Sequence, residues 1–454
     1  MWLLDTSSLE LREFFDRDVP PYAILSHTWS FPNEVSFVEM QNRHSDDVGL
    51  DKSGFAKITQ FCRISKEHGY DYCWIDTCCI DKRNSADLSE AINAMYRYYY
   101  EAGECLIFLD DVDPSDDWVS VNEQELFVRL HHSRWFTRGW TLQELIAPKT
   151  RLFYARDWSP ITANNGTLYK TIAKITGVKA DVLRERDKAS HCCAAERLSW
   201  ASRRRTTRSE DMAYSLVGLF NISLPILYGQ GGKAAFRRFQ EEILRTSFDQ
   251  SIFVWKASGR ACPESSGLLA DSPADFADTP RLGLWAPKSL APFSMTNVGL
   301  SIRLNVIKAS AEELEWIPQE ESDKTDGDVV YIGLVTCDVF DGREGVWTLL
   351  ALYLKRVRNA TFLINGQTCQ AYRRVKCDTW TAVPPGALLG RSGPSHFTNV
   401  LVLEDEHYGM VQRANSEHDE RWIMRREGGM DDKRWSGGEG EARLSASLAK
   451  RSTA

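Results

Sequence analysis

The run Tyr22-Ala23-Ile24-Leu25-Ser26-His27-Thr28-Trp29 sets the reading of the whole chain. Its opening apolar residues are too few for a helix and fit a buried strand, which ends in the polar pair Ser26 and His27. The pattern recurs. Tyr72-Cys73-Trp74-Ile75 ends at Asp76, residues 105–109 run into Asp110-Asp111, and Arg151-Leu152-Phe153-Tyr154 makes a fourth strand. Between the first two, Phe55, Ile58, Cys62 and Ser65 fall at helical spacing, closed by Gly69. Asn84 or Ser85 caps a longer helix with Leu88, Ile92, Met95, Tyr96 and Tyr99 on one face. Strands alternating with helices predict a parallel sheet with helices on both faces. Ligands of such sheets bind beyond the carboxyl ends of the strands.

The candidate for chemistry lies between the third and fourth strands, in SRWFTRGWTLQELIAP, residues 133–148. A short helix is expected after Gly139, and Pro148 stops it. Trp140 and Glu144 sit four apart and share a helical face, with Leu142, Leu145 and Ile146 supplying apolar contacts. Two readings of this group stand. Either Glu144 is a reacting carboxylate with Trp140 beside it, or it pairs with Arg134 or Arg138 while Trp140 fills the core.

Residues 168–256 read as helical. Thr207 and Glu210 form a capping box, with Met212, Ala213, Leu216, Val217 and Phe220 on the apolar side. Pro225 ends that helix. Gly229-Gln230-Gly231-Gly232 is read as turn and cap glycines before a helix that buries Ala235, Phe236, Phe239 and Ile243, since neither a phosphate loop nor a dinucleotide fingerprint is complete there. Arg203-Arg204-Arg205 with Arg208 is either a solvated face or a grip for an anion. Ser251 to Trp255 is expected to be a strand. The predicted organisation is an α/β domain with a helical second half over 1–256, a linker over 257–290, a smaller mainly-β domain over 291–416 and a disordered tail over 417–454. An acidic loop over 312–328 separates the first two long β runs.

The 454 residues, 43% hydrophobic and 26% charged, are those of an ordinary globular protein. A net charge of −8 without a basic stripe argues against nucleic-acid binding. No run approaches the ~18 apolar residues of a membrane span. No secretory pattern opens the chain, so the expected compartment is the cytoplasm. The 11 cysteines form no CxxC pair and are expected to be reduced and buried. No His, Cys or Asp spacing matches a metal site.

Taken in order, YAILSHTW (22–29), YCWIDTCCIDK (72–82), LSEAINAM (88–95), residues 133–148, RTTRSEDMAY (205–214), and LYGQG (227–231) with AFRRFQ (235–240) resemble the fungal heterokaryon incompatibility (HET) domain. Gln230 departs from the Glu usual in that family. The resemblance implies non-self recognition and programmed cell death, and through the family's distant similarity to TIR domains it implies a TIR-like sheet. Carried over from TIR enzymes that cleave NAD, Glu144 is the candidate catalytic carboxylate, with NAD or a related nucleotide as substrate and no cofactor required. Ser26, His27, Trp29, Asp76, Asp81, Arg138 and Trp140 are the candidate nucleotide contacts. His27 is either a base or ribose contact or a structural strand-end residue. Asp76 and Asp81 bind ribose or an ion, or Asp76 caps a turn. The alternative function is a non-enzymatic module that self-associates or docks a partner incompatibility protein.

Overall fold

The computed structural model describes residues 1–46, 51–258, 265–284, 292–309, 329–341, 346–383 and 397–405. Its first sheet has six strands: β1 (Trp2–Asp5), β2 (Leu11–Glu13), β3 (Tyr22–His27), β4 (Tyr72–Trp74), β5 (Glu104–Phe108) and β6 (Arg151–Tyr154), in the order β2-β1-β4-β3-β5-β6. The four strands expected from the sequence are parallel, with Tyr22 beside Tyr72 and His27 beside Phe108. They explain their own placement: β3 is buried at every position, as a central strand packed on both faces must be. The sequence reading missed β1 and β2, which add antiparallel to the edge at β4. Among the parallel strands, β3 has the second on one side and the third on the other. The order therefore reverses between β3 and β5, where such sheets open a crevice at their carboxyl ends.

Helix α1 (Phe37–Asp46) precedes α2 (Ser53–Glu67), which buries Ile58, Phe61, Cys62 and Ser65 and is followed by Gly69 at φ +90°. In α3 (Ser85–Glu101) the cap is Asn84, whose side chain accepts from Ala86 N at 3.0 Å. Replacing Asn84 by alanine leaves that amide to water, and urea unfolding should show a loss of about 1 kcal/mol. Next come α4 (Glu123–Leu130) and α5 (Thr141–Ile146), then α6 (Asn165–Thr176), α7 (Ala180–Arg184), α8 (Ala194–Ser199), α9 (Asp211–Tyr214) and α10 (Gly232–Thr246).

Three local expectations are corrected in this helical half. Glu210 does not complete a capping box with Thr207. Its carboxylate instead accepts from Gly229 N at 2.8 Å and Gly231 N at 3.0 Å, fastening the glycine turn before α10. Both glycines sit at positive φ, which a side chain would strain. The segment near 251–255 is a 3-10 turn, Gln250–Phe253, because Asp249 caps it by accepting from Ser251 N at 2.9 Å. The helix expected after Glu210 stops at Tyr214 and resumes only as a 3-10 turn at Gly218–Phe220.

Among the described residues the second sheet has nine strands: β7 (Ser265–Ser266), β8 (Leu282–Leu284), β9 (Ser294–Met295), β10 (Gly299–Lys308), β11 (Val330–Asp341), β12 (Val346–Ile364), β13 (Gln367–Val375), β14 (Thr381–Val383) and β15 (Phe397–Leu403). Residues 346–364 form one 19-residue strand, β12. It turns into β13 at Asn365-Gly366, both at positive φ as a two-residue hairpin turn requires. The sheet is mixed: β13 and β15 run parallel.

The stretch read as a linker is built into the fold where it is described. It supplies β7 and β8, and Gln240 of α10 holds Ala270 by donating to its carbonyl at 2.8 Å and accepting from its amide at 3.0 Å. From β13, the fully buried Arg374 reaches back, donating to Phe253 O and Trp255 O and stacking over the Trp255 ring at 3.8 Å. The acidic loop over 312–328 and the tail over 417–454 lie outside the described residues. Among the described residues, no helix is long and apolar enough to cross a membrane.

Candidate functional site

Two side-chain groups form at the carboxyl ends of the parallel strands. The first surrounds Glu144. Helix α5 is buried at all six positions, so Leu142, Leu145 and Ile146 do pack inward, and Glu144 goes in with them at 6% exposure. The Trp135 indole donates to Ser26 Oγ at 2.8 Å, and the Ser26 hydroxyl donates to Glu144 Oε2. Tyr99 of α3 lies within hydrogen-bonding range of Glu144, while its own hydroxyl donates to Leu25 O at 2.9 Å. A run of hydrogen bonds thus leads from Trp135 through Ser26 to Glu144.

Burial raises the Glu144 pKa to about 8, the Asp76 charge adds to the shift, and Ser26, Tyr99 and the Arg204 guanidinium oppose it. Among the described residues no guanidinium or ammonium lies within ion-pair distance of Glu144. The paired alternative raised by the sequence is therefore not the arrangement found. Arg134 salt-bridges Asp110 at 2.7 Å and Asp111 at 3.4 Å instead.

The second group centres on Asp76, just past β4. His27 Nε2 is 3.0 Å from Asp76 Oδ1, and the Trp29 indole donates to Oδ2 at 2.8 Å. Lys82 stands 3.9 Å over the Trp29 ring. Burial works to raise the Asp76 pKa, but the His27 hydrogen bond and charge, Lys82 and Trp29 outweigh it and leave it below the ordinary range. A depressed folded-state pKa contributes stability above the unfolded value and loses it as pH falls through the folded one. Asp76→Asn should therefore lower the melting temperature at pH 7, with the gap to wild type closing below pH ~4. Thr28 Oγ1 extends the row by donating to Asp110 Oδ1 at 3.0 Å. His27 is buried, and its Nδ1 has no partner among the described residues.

Of the residues singled out from sequence, the structure brings Ser26 to Glu144, and His27 and Trp29 to Asp76. It holds the other three elsewhere. Asp81 is tied to Arg83 at 2.9 Å, Arg138 donates to Thr207 Oγ1 at 3.2 Å, and the Trp140 indole lies beside Asp211, working to lower the pKa of that carboxyl. Trp135, Tyr99 and Arg204 belong to the Glu144 surroundings and were not anticipated as such. A cavity of about 440 Å³ lined by Ser89, Asn93, Tyr96, Arg97 and Asn221 lies apart from both groups. Among the described residues, no cluster of His, Cys, Asp and Glu could hold a metal ion.

The architecture is thus an α/β domain with a carboxylate pair at its strand ends, joined to a large β-sheet. Residues 22–122 match the family model for "Heterokaryon incompatibility protein (HET)", and residues 234–282 match a "Domain of unknown function (DUF8212)". The vegetative incompatibility protein HET-E-1 of Podospora anserina is 41% identical over 236 residues, which cover 50% of this chain and 16% of that protein. No solved structure matches the chain. Residues 22–122 thus carry the likeness to the HET family, and the chain spans 16% of the length of the curated relative it matches.

Proposed function

We propose that this protein acts in heterokaryon (vegetative) incompatibility, a non-self response ending in cell death, through a TIR-like α/β domain that hydrolyses the N-glycosidic bond of NAD or a related nucleotide. One observation supports the chemistry most. Two carboxyl groups near the strand ends, Asp76 just past β4 and Glu144 on α5 against Ser26 of β3, are driven in opposite directions, Asp76 toward the ionised form and Glu144 toward the neutral one.

In NAD the ring leaving the ribose is a cationic pyridinium. Placed against Glu144, that positive charge favours loss of the carboxyl proton, and the resulting carboxylate faces the charge developing on the ribose. The bond from C1′ to the ring nitrogen breaks, its electron pair leaves with neutral nicotinamide, and water adds to C1′ with release of a proton. Asp76, already ionised and oriented by His27 and Trp29, is placed to accept from ribose hydroxyls. The compartment proposed is the cytoplasm, where the dinucleotide is available.

The burial of Glu144 favours a second reading, in which the module signals by self-association or by docking a partner incompatibility protein. Purified full-length protein incubated with NAD, with nicotinamide followed by chromatography, separates the two. Release that depends on Glu144 supports the hydrolase. No release at any protein concentration, with cell killing retained by a folded Glu144→Gln variant, leaves the signalling module.

A further inference from the structure

We propose that Arg138 and Arg205 form a binding site for the phosphoryl groups of a nucleotide, an inference that rests on the nucleotide reading above. The two residues face each other in an isolated parallel β-bridge. Gly139 N donates to Arg205 O at 2.9 Å and Arg205 N donates to Thr137 O at 2.7 Å. Gly139 permits this approach, because a Cβ there would stand 2.4 Å from Thr206 Cγ2.

Side chains paired across such a bridge leave on the same side, roughly 5 Å apart at the backbone. Like charges in that position repel. In a chain of net charge −8, acidic partners are plentiful, and Arg134, Arg156 and Arg237 are each paired with at least one. Arg138, Arg203 and Arg205 have none within ion-pair distance among the described residues. The single side-chain bond of Arg138 is to the Thr207 hydroxyl. Arg203 and Arg205 are exposed, whereas Arg204 is half-buried and turns its guanidinium inward.

Arg204 ties this site to the chemistry. Its Nη1 donates to Arg138 O at 2.8 Å and to Thr141 Oγ1 at 2.9 Å, locking the bridge to the start of α5, and its charge acts on Glu144. One face of the bridge thus carries an unneutralised guanidinium pair, and the other supports the helix that holds the carboxyl. Planar guanidinium pairs suit phosphoryl oxygens, which accept two parallel hydrogen bonds from each. A diphosphate fits the pair in charge as well.

The probe is inorganic pyrophosphate, titrated calorimetrically into the full chain at low salt. Wild type should bind it, and pyrophosphate should raise its melting temperature. Arg138→Gln and Arg205→Gln should each weaken binding roughly 10-fold or more, and the double variant should not bind. Without anion, Arg205→Gln should melt higher than wild type, because one of two repelling charges is gone. Arg156→Gln, at an exposed pair with Asp113, should bind as wild type does. No binding by wild type, or undiminished binding by the double variant, overturns the site. Tighter binding of a poly-glutamate peptide than of pyrophosphate overturns the phosphoryl assignment. Binding is read without turnover, so loss of nicotinamide release with pyrophosphate binding intact removes the hydrolase alone.

Discussion

Glu144→Gln should reduce nicotinamide release at least ~100-fold and, at the same time, make the protein more stable above pH 8. The two effects share one cause. The pKa of Glu144 rises from 4.5 to about 8 on folding, mainly through burial. A raised folded-state value favours the native state fully below the unfolded pKa, and that contribution is lost as pH rises through the folded one. Wild type should therefore lose a few kcal/mol between about pH 4.5 and 8, a slope absent from the glutamine variant. Glutamine keeps the shape and accepts from Ser26 as before, but it cannot ionise. In wild type kcat/KM should climb with pH through about 8, because the ionised carboxylate is the working form in the free protein. Equal release by both proteins would remove Glu144 from the reaction, and a flat thermal profile would show that its pKa is not raised by folding.

Arg374→Leu should cost about 3–5 kcal/mol in urea unfolding, the largest stability loss expected from a single side chain here. Leucine fills part of the volume but abandons the carbonyls of Phe253 and Trp255 in a dry interior. It also removes the flat cation over the Trp255 ring. Nicotinamide release per native molecule should not change, since Arg374 touches neither carboxyl group. A loss under 1 kcal/mol would show that those carbonyls find other partners.

The central strands were legible because their chemistry is local. Residues 22–25 and 105–108 are apolar without interruption, as a strand covered on both faces demands, and each ends where polarity begins. The cluster around Asp76 was legible in part for the same reason: His27 and Asp76 end neighbouring strands. The tryptophan was harder. An i, i+4 argument points to Trp140, but a helix buried all round has no single inner face, and Trp140 turns to Asp211. Trp135, five residues earlier, sits in a 3-10 turn whose direction no periodicity reveals, and it reaches Ser26 across 109 positions.

Composition misled at residues 257–290, where Gly, Pro, Ser and Asp suggested a linker. Those residues instead cap a turn: Ser272 and Asp275 form a reciprocal capping box. The short strands β7 and β8 are decided by partners more than 50 residues away, which local pattern cannot show.

Ser26, His27, Asp76 and Asp110 all lie within the stretch 22–122 that matches the family model, whereas Trp135 and Glu144 come after it. A polypeptide emerging from the ribosome therefore displays the acceptor half of the cluster before the reacting group has been translated. Helix α5 must then bury six positions against β3 and α3 before the carboxyl meets Ser26 and Tyr99. For a protein whose proposed output is lethal to the cell that makes it, synthesis itself is a safety interval.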